Sequence, residues 1–399
     1  HRYWSFEYAV DPIPSEEEWL EEMDAVLTTA VKLRMASDVP LGAFLSGGVD
    51  SSLVVALMKK AAQGPVKTFT IGFTQRQFDE SKNASKVASH IGTDHHVEYL
   101  TPSAIRVLPD LLSAYDEPFG DASAIPTLML CDSVSKDVTV ALSGDGGDEL
   151  FLGYKRYFKT ARLARLGSRL GDSGCRIAGC LAAVIPSGGA GQRTIDRLAQ
   201  HPDQQYQHAL GWSWNTLSLL HQDLRKNLME SLLSAEHLPR ECSFESKLES
   251  YQLNDMQNYL PNDIMVKVDR ASMHHSLEVR CPLLDQQFIE LSVRIPTALK
   301  VDSGKEKYLL RRLASKYLPT SILDLPKHGF SVPLNLWFKG ELRPLLEEMV
   351  ADVSSTMWQY FDLAQTRHIV SGQARRSVDS SVTLWRLLLF HRWFMVNST

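Results

Sequence analysis

The sequence predicts an α/β protein: a parallel sheet flanked by helices, followed by a mostly helical C-terminal part. Three observations carry that expectation. Apolar and β-branched runs alternate with helix-like runs between Leu41 and Ser143, the pattern of a parallel sheet covered on both faces. Two glycine-rich stretches, "SGGVDSS" from Ser46 and "SGDGGDE" from Ser143, follow directly on two of the strand-like runs. From about Phe151 onward the pattern turns helical, with connections of Gly, Ser and Pro.

Taken in order, Ser15 with Glu18 three residues later forms a capping-box pattern. Trp19, Met23, Val26, Leu27, Ala30 and Val31 then share one helical face. "LGAFL" reads as a buried strand, and "SSLVVALMKKAA" as a helix closed by Gly64-Pro65. "VKTFTIGF" is a second strand, "ESKNASKVASHIG" a helix, and "HHVEYL" a third strand. A helix pair and a fourth strand, Val138 to Ser143, complete the alternation. In such sheets ligands sit beyond the carboxyl ends of the strands, where both glycine-rich stretches fall.

Composition narrows the class. The chain has 399 residues, enough for one large or two moderate domains, with 44% hydrophobic and 22% charged residues. A net charge of -5 without a long basic block argues against a nucleic-acid binder. The basic run Lys155, Arg156, Lys159, Arg162, Arg165 and Arg169 reads as a solvated helix face. No apolar run is long enough to span a membrane, and the first residues given do not read as the charged-then-apolar order of a signal peptide. Five cysteines, odd in number and without a CxxC pair, read as reduced thiols of a cytoplasmic protein. His274 and His275 read as incidental, because no His or Cys nearby completes a metal site. "PSGGAGQ" (186–192) reads as a surface loop, and "SVTLWRLLLFHRWF" as an apolar helix whose tryptophans are core.

The chemistry concentrates in the loops. A strand that ends in "SGGVDSS" and enters a helix offers backbone N–H groups at a positive helix end, suited to phosphate. Ser46, Ser51 and Ser52 add hydroxyls, while Gly47 and Gly48 admit a close backbone approach. The Asp50 carboxylate would repel phosphate unless Mg²⁺, a hard cation that takes oxygen ligands, bridged the two. There is no lysine after the second glycine, so this is not the kinase-type loop.

"SGGVDSS" resembles the pyrophosphate-binding loop of the ATP-pyrophosphatases, which cleave ATP between the α and β phosphates. Four more segments narrow the resemblance: "SGDGGDELFLGYKRYF" (143–158), "YLPNDIMVKVDRASMHHSLEVRCPLLD" (259–285), "GKEKYLLRR" (304–312) and "LPKHGFSVPLNLWF" (325–338). With the first loop, and in this order, they resemble the synthetase domain of the glutamine-dependent asparagine synthetases. The implied fold is adenine-nucleotide alpha-hydrolase-like, and the implied cofactors are ATP and Mg²⁺.

By that resemblance Asp50 and Asp148 are the Mg²⁺ carboxylates, and Ser46, Gly47, Gly48, Ser51 and Ser52 hold pyrophosphate. Leu45, Ile71, Ser143 and Gly144 frame adenosine, and Lys307 contacts the phosphates. Asp145 stands where asparagine-forming members typically carry glutamate, proposed to take a proton from the attacking amine; a shorter acid, or a bridging water, would serve here. Asp269, Arg270, Ser272, Glu278, Arg280 and Asp285 match the family's charged segment, with Glu278 and Arg280 read as part of a buried ion-pair lattice.

The resemblance implies an amide-forming ligase that adenylates a carboxylate, the β-carboxylate of aspartate first among candidates, and traps it with ammonia. Relatives that amidate sugar acids, close β-lactam rings or cyclise peptides keep another carboxylate open, and a tRNA-modifying enzyme of the same loop class is a distant third. Residues 1–36 are expected to be a leading segment and helix after a missing glutaminase domain, 37–152 the ATP-binding core, and 153–399 the helical part that completes the site. "RYWSFEYAV" resembles the stretch just after that glutaminase domain, so the chain is expected to be a fragment. Full-length relatives often pair, which implies a homodimer.

Overall fold

A computed structural model describes Trp4 and residues 14–73, 79–100, 104–184, 195, 198, 206, 217–234, 244–302, 304–325, 332–374 and 380–397. The "PSGGAGQ" loop and most of "RYWSFEYAV" lie outside the described residues. The chain divides into two compact units, each assembled from three stretches: 1–102, 123–154 and 255–332 form the first, 103–122, 155–254 and 333–399 the second.

The first unit opens with helix α1 (Glu16–Arg34). Ser15 caps it: its hydroxyl accepts from the Glu18 N–H at 3.3 Å while its own N–H donates to the Glu18 carboxylate at 2.7 Å. That bond holds the Glu18 carboxyl below the usual range. Trp19, Leu20, Met23, Leu27, Ala30 and Val31 are buried, so the apolar face falls where the spacing puts it, with Leu20 in place of the half-buried Val26.

Beyond it lie β1 (Leu41–Phe44), α2 (Val49–Ala61), β2 (Lys67–Phe73), α3 (Ser81–Ile91) and β3 (Asp94–Leu100). Then follow α4 (Ala104–Ala114), which belongs to the second unit, and, back in the first, α5 (Ala124–Val134), β4 (Val140–Leu142) and α6 (Gly147–Leu150). A fifth strand, β5 (Glu278–Arg280), comes from the segment read as a charged lattice. The sheet order is β3-β2-β1-β4-β5, all parallel, with Ala43 opposite both Thr68 and Leu142, and Ala141 opposite Val279. Three residues are too few for a period to show in sequence, and Arg280 and Glu278 mask the strand with charge.

Inner strands are buried on both faces: six of the seven β2 residues are buried, as a covered parallel sheet requires. Helix α2 buries Leu53 through Met58 without interruption. The strand order reverses between β1 and β4, and at such a switch point the two outgoing loops part and leave a crevice. The loops there are the two glycine-rich stretches.

The second unit is helical. Helix α7 (Lys155–Val184) packs on the helix Phe244–Asn254, and Tyr157, Tyr206 and Tyr251 stack in its interior, the last pair with centroids 4.1 Å apart. Lys155, Lys159, Arg162, Arg165 and Arg169 are exposed and Arg156 is half-buried, in keeping with a solvated face. The C-terminal helix Ser381–Asn397 buries Trp385, Leu384 and Leu388, while Trp393 is half-buried. No helix among the described residues is long and apolar enough to cross a membrane.

Candidate active site

The first loop leaves β1 through Leu45, whose N–H donates to the Phe69 carbonyl and whose carbonyl accepts from the Thr70 hydroxyl. The next residues are stitched by their own hydroxyls. Ser46 N–H donates to Ser51 Oγ at 3.2 Å, Gly48 N–H to Ser46 Oγ at 3.3 Å, and the two hydroxyls lie 3.0 Å apart. Helix α2 follows with 13 residues, long enough for its amino end to favour an anion. Ser52 is fully buried and its hydroxyl has no hydrogen-bond partner among the described residues, so a phosphate contact there requires the loop to yield.

The second loop leaves β4 through Ser143, whose N–H donates to the Arg280 carbonyl at 2.9 Å, so β5 anchors it. A Cβ on Gly144 would lie 2.5 Å from the Ser51 N–H nitrogen, so only bare backbone lets the two loops press together. The Ser143 hydroxyl donates to the Asp145 carboxylate, and the Asp145 N–H donates back to that hydroxyl at 3.2 Å. Asp145 is half-buried and held by its own loop.

Lys307 joins the loops. The hairpin Val301–Asp302 with Lys305–Glu306 delivers it to the start of the helix Tyr308–Ala314, in a left-handed conformation at φ 58°. Its ammonium lies 2.6 Å from Asp50 Oδ2 and 2.7 Å from Asp148 Oδ1. Lys307 is 5% exposed and Asp50 6%. One cation therefore answers two carboxylates from two loops, 257 residues from Asp50 along the chain.

Glu149, next to Asp148, went unassigned in the sequence although its loop offers three acids. It is 1% exposed, and burial with the neighbouring Asp148 charge pushes its carboxyl up to about 7. The Tyr154 hydroxyl donates to it at 2.6 Å, and burial raises that phenol well above its ordinary value. No motif distinguishes a buried acid from a solvated one. Burial also pushes the Cys131 thiol up to about 12 and Cys281 well above its usual range, each with a contribution from Asp145. Both are inert free thiols.

Other residues singled out in the sequence have structural partners. Asp285 caps the helix Gln286–Arg294 and pairs with Arg34 at 2.7 Å. Arg280 binds Glu278 at 2.7 Å and the carbonyls of Arg34 and Ala36 beyond α1. Glu278 is exposed, so this part of the lattice lies at the surface, where the first residue of a short edge strand meets water. Ser272 donates to the Asp269 carbonyl at 3.1 Å. His274 and His275 contact each other edge to face, and no metal-binding group of three or more His, Cys, Asp or Glu occurs among the described residues. Leu45 and Ile71 are buried on β1's exit and on β2, Ser143 is buried at the end of β4, and Gly144 is partly buried against Ser51.

The asparagine synthase profile matches residues 22–395. The chain is similar to asparagine synthetase [glutamine-hydrolyzing] 1 of Bacillus subtilis, 30% identical over 97% of this chain and 61% of that protein. A putative asparagine synthetase of Mycobacterium tuberculosis is 30% identical over 99% of this chain and 61% of its own length. Amidase chyE of Penicillium rubens is 24% identical over 92% of this chain. The chain thus spans about three fifths of these curated relatives. Among solved structures, NMN synthetase from Francisella tularensis aligns at a TM-score of 0.26 and 17% identity, over 36% of this chain and 59% of that one. With the profile covering nearly the whole chain, the protein belongs to the asparagine synthase family.

Proposed function

We propose that this chain adenylates a carboxylate with ATP, releases pyrophosphate, and passes the acyl group to ammonia, with the β-carboxylate of aspartate as substrate and asparagine as product. The observation that carries this reading is the meeting of Asp50, Asp148 and Lys307 at the sheet's switch point.

The residues fit a magnesium ion. Two oxygen donors from separate loops already converge on one positive charge, and Mg²⁺ is commonly held by one or two carboxylates with phosphate oxygens completing its shell. Asp50 and Asp148 would hold it, and it would neutralise charge developing on the leaving pyrophosphate. The first loop, with Ser46, Gly47, Gly48, Ser51 and Ser52 at the amino end of α2, binds the pyrophosphate. Lys307 donates to the phosphates as negative charge builds. Leu45, Ile71, Ser143 and Gly144 flank adenosine. Asp145, oriented by the Ser143 hydroxyl, takes the proton of the attacking amine. Catalysis then rests on in-line positioning and on charge stabilisation.

The matched relatives named glutamine-hydrolyzing support an ammonia supply from a glutaminase part, so the test offers ammonia directly. The chain is given Mg-ATP, ammonium and aspartate, and AMP, pyrophosphate and asparagine are assayed. All three are expected in equal amounts. Pyrophosphate without asparagine, appearing only with another carboxylate such as a sugar acid, moves the assignment to that substrate. No pyrophosphate with any carboxylate removes the adenylation reading.

A further inference from the structure

Gly153 lies just past α6, where its N–H donates to the Asp148 carbonyl at 2.8 Å. Its φ is outside the left-handed region, so conformational freedom does not explain a glycine at this position. Close approach does. A Cβ there would stand 2.1 Å from Asp148 Oδ1, 2.1 Å from Cε of Lys307, and 2.9 Å from Cα of Asp148. Two of these three atoms belong to the functional ends of the ion pair.

The backbone around this point is bent at a cost. Leu152, fully buried, is held at φ 53°, and Lys307 at φ 58°. With Ser276 they are the three non-glycine residues at positive φ among the described residues. Left-handed backbone at bulky residues persists only where the surroundings impose it, and it concentrates at functional sites. Here one such residue precedes Gly153 and the other carries the ammonium that Gly153 faces.

We propose that Gly153 is a positioning residue, whose bare backbone leaves the room in which the Lys307 ammonium and the Asp148 carboxylate meet. It thereby sets where the cation stands relative to the pyrophosphate, a consequence that rests on the function proposed above. A side chain at 153 displaces both ends by more than an ångström, and a misplacement of that size can lower turnover about 100-fold.

The test is a double-mutant cycle on the full 399-residue chain, with Gly153→Ala, Lys307→Ala and the pair. Binding of magnesium pyrophosphate is read by calorimetry, and stability by urea unfolding. Gly153→Ala is expected to weaken binding at least about tenfold in the parent chain and by a clearly smaller factor when Lys307 is already alanine, because truncation removes the Cε while the contacts with Asp148 remain. A loss of the same size in both backgrounds, or none in the parent, overturns the proposal. If Gly153→Ala does not fold, recovery of folding in the double variant supports it, and failure of both overturns it. If the parent chain binds no magnesium pyrophosphate, the functional reading falls, and the urea cycle alone decides. Coupling between positions 153 and 307 then sustains the positioning role, and additivity ends it.

Discussion

Two charge clusters, one in each unit, are built differently: around Lys307 no side chain is more than 16% exposed, whereas around His391 the Glu348 and Asp352 side chains are 52% and 36% exposed. The Lys307 ammonium rises from a left-handed residue at the start of its helix, and the Asp50 and Asp148 carboxylates stand in the first turns of α2 and α6. Around His391, on the helix Ser381–Asn397, every residue stands on or beside a regular helix. His391 is 1% exposed, lies 3.8 Å from Asp352, and sits next to Arg392, which binds Glu348 at 2.6 Å. A buried cation on left-handed backbone, facing two carboxylates at a switch point, sets the first cluster apart.

The largest expected effect tests the first cluster. Lys307→Ala should lower turnover by at least two orders of magnitude, each tenfold being about 1.4 kcal/mol of barrier. It should also cost about 3–5 kcal/mol of stability, because two carboxylates lose their shared partner in a buried setting. Steady-state pyrophosphate release and urea unfolding read the two losses separately; an unchanged rate would reduce Lys307 to a structural ion.

Asp50→Asn and Asp148→Asn come next: each should abolish pyrophosphate release while the chain keeps its circular dichroism spectrum. Asp148→Asn should cost less stability than Asp50→Asn, since its side chain is the more exposed of the two. Near-normal turnover in either variant would break the metal assignment.

On the second cluster, Glu348→Gln should leave turnover unchanged and cost under about 1 kcal/mol, because Glu348 is half-exposed and its pair with Arg392 is screened by water. A turnover loss as large as that of Asp148→Asn would end the distinction between the clusters.

The smallest effect concerns pH. Burial, with Arg392 adding to it, pushes His391 below its ordinary value, while Asp352 and Glu348 oppose the shift. The sign follows from linkage: the folded state prefers the neutral imidazole. Its contribution is complete above about 6.5, the unfolded value, and is lost as pH falls through the lower folded value. The thermal unfolding midpoint should therefore fall between pH 7 and pH 5, and His391→Leu should flatten that slope. An identical slope in the variant would assign the acid sensitivity to other groups.

Much of this was legible in the residues. The Ser15 and Glu18 capping box, the apolar face of α1 and four of the five parallel strands follow from local chemistry and spacing. So do the two loops, because glycine, serine and aspartate directly after a buried strand have few other uses. The helix α2 begins two residues earlier than its apolar run suggests, at Val49, because Gly48 is extended and Val49 can enter the turn. Strand β5 was hidden, since a strand of three residues draws its pairing from β4 and not from its own composition.

What the sequence determined by itself is therefore local: periodicity, caps, and loops whose residue types suit phosphate and a cation. Tertiary structure decided which groups meet and which are dry. It set Lys307 between Asp50 and Asp148 across 257 residues, and it sealed Glu149 while leaving Asp145 half-open. It also brought Gly153 against a lysine side chain from a distant hairpin. Spacing along a chain fixes direction only over a few residues. The desolvation that raises the Glu149 carboxyl depends on what the rest of the chain packs over it.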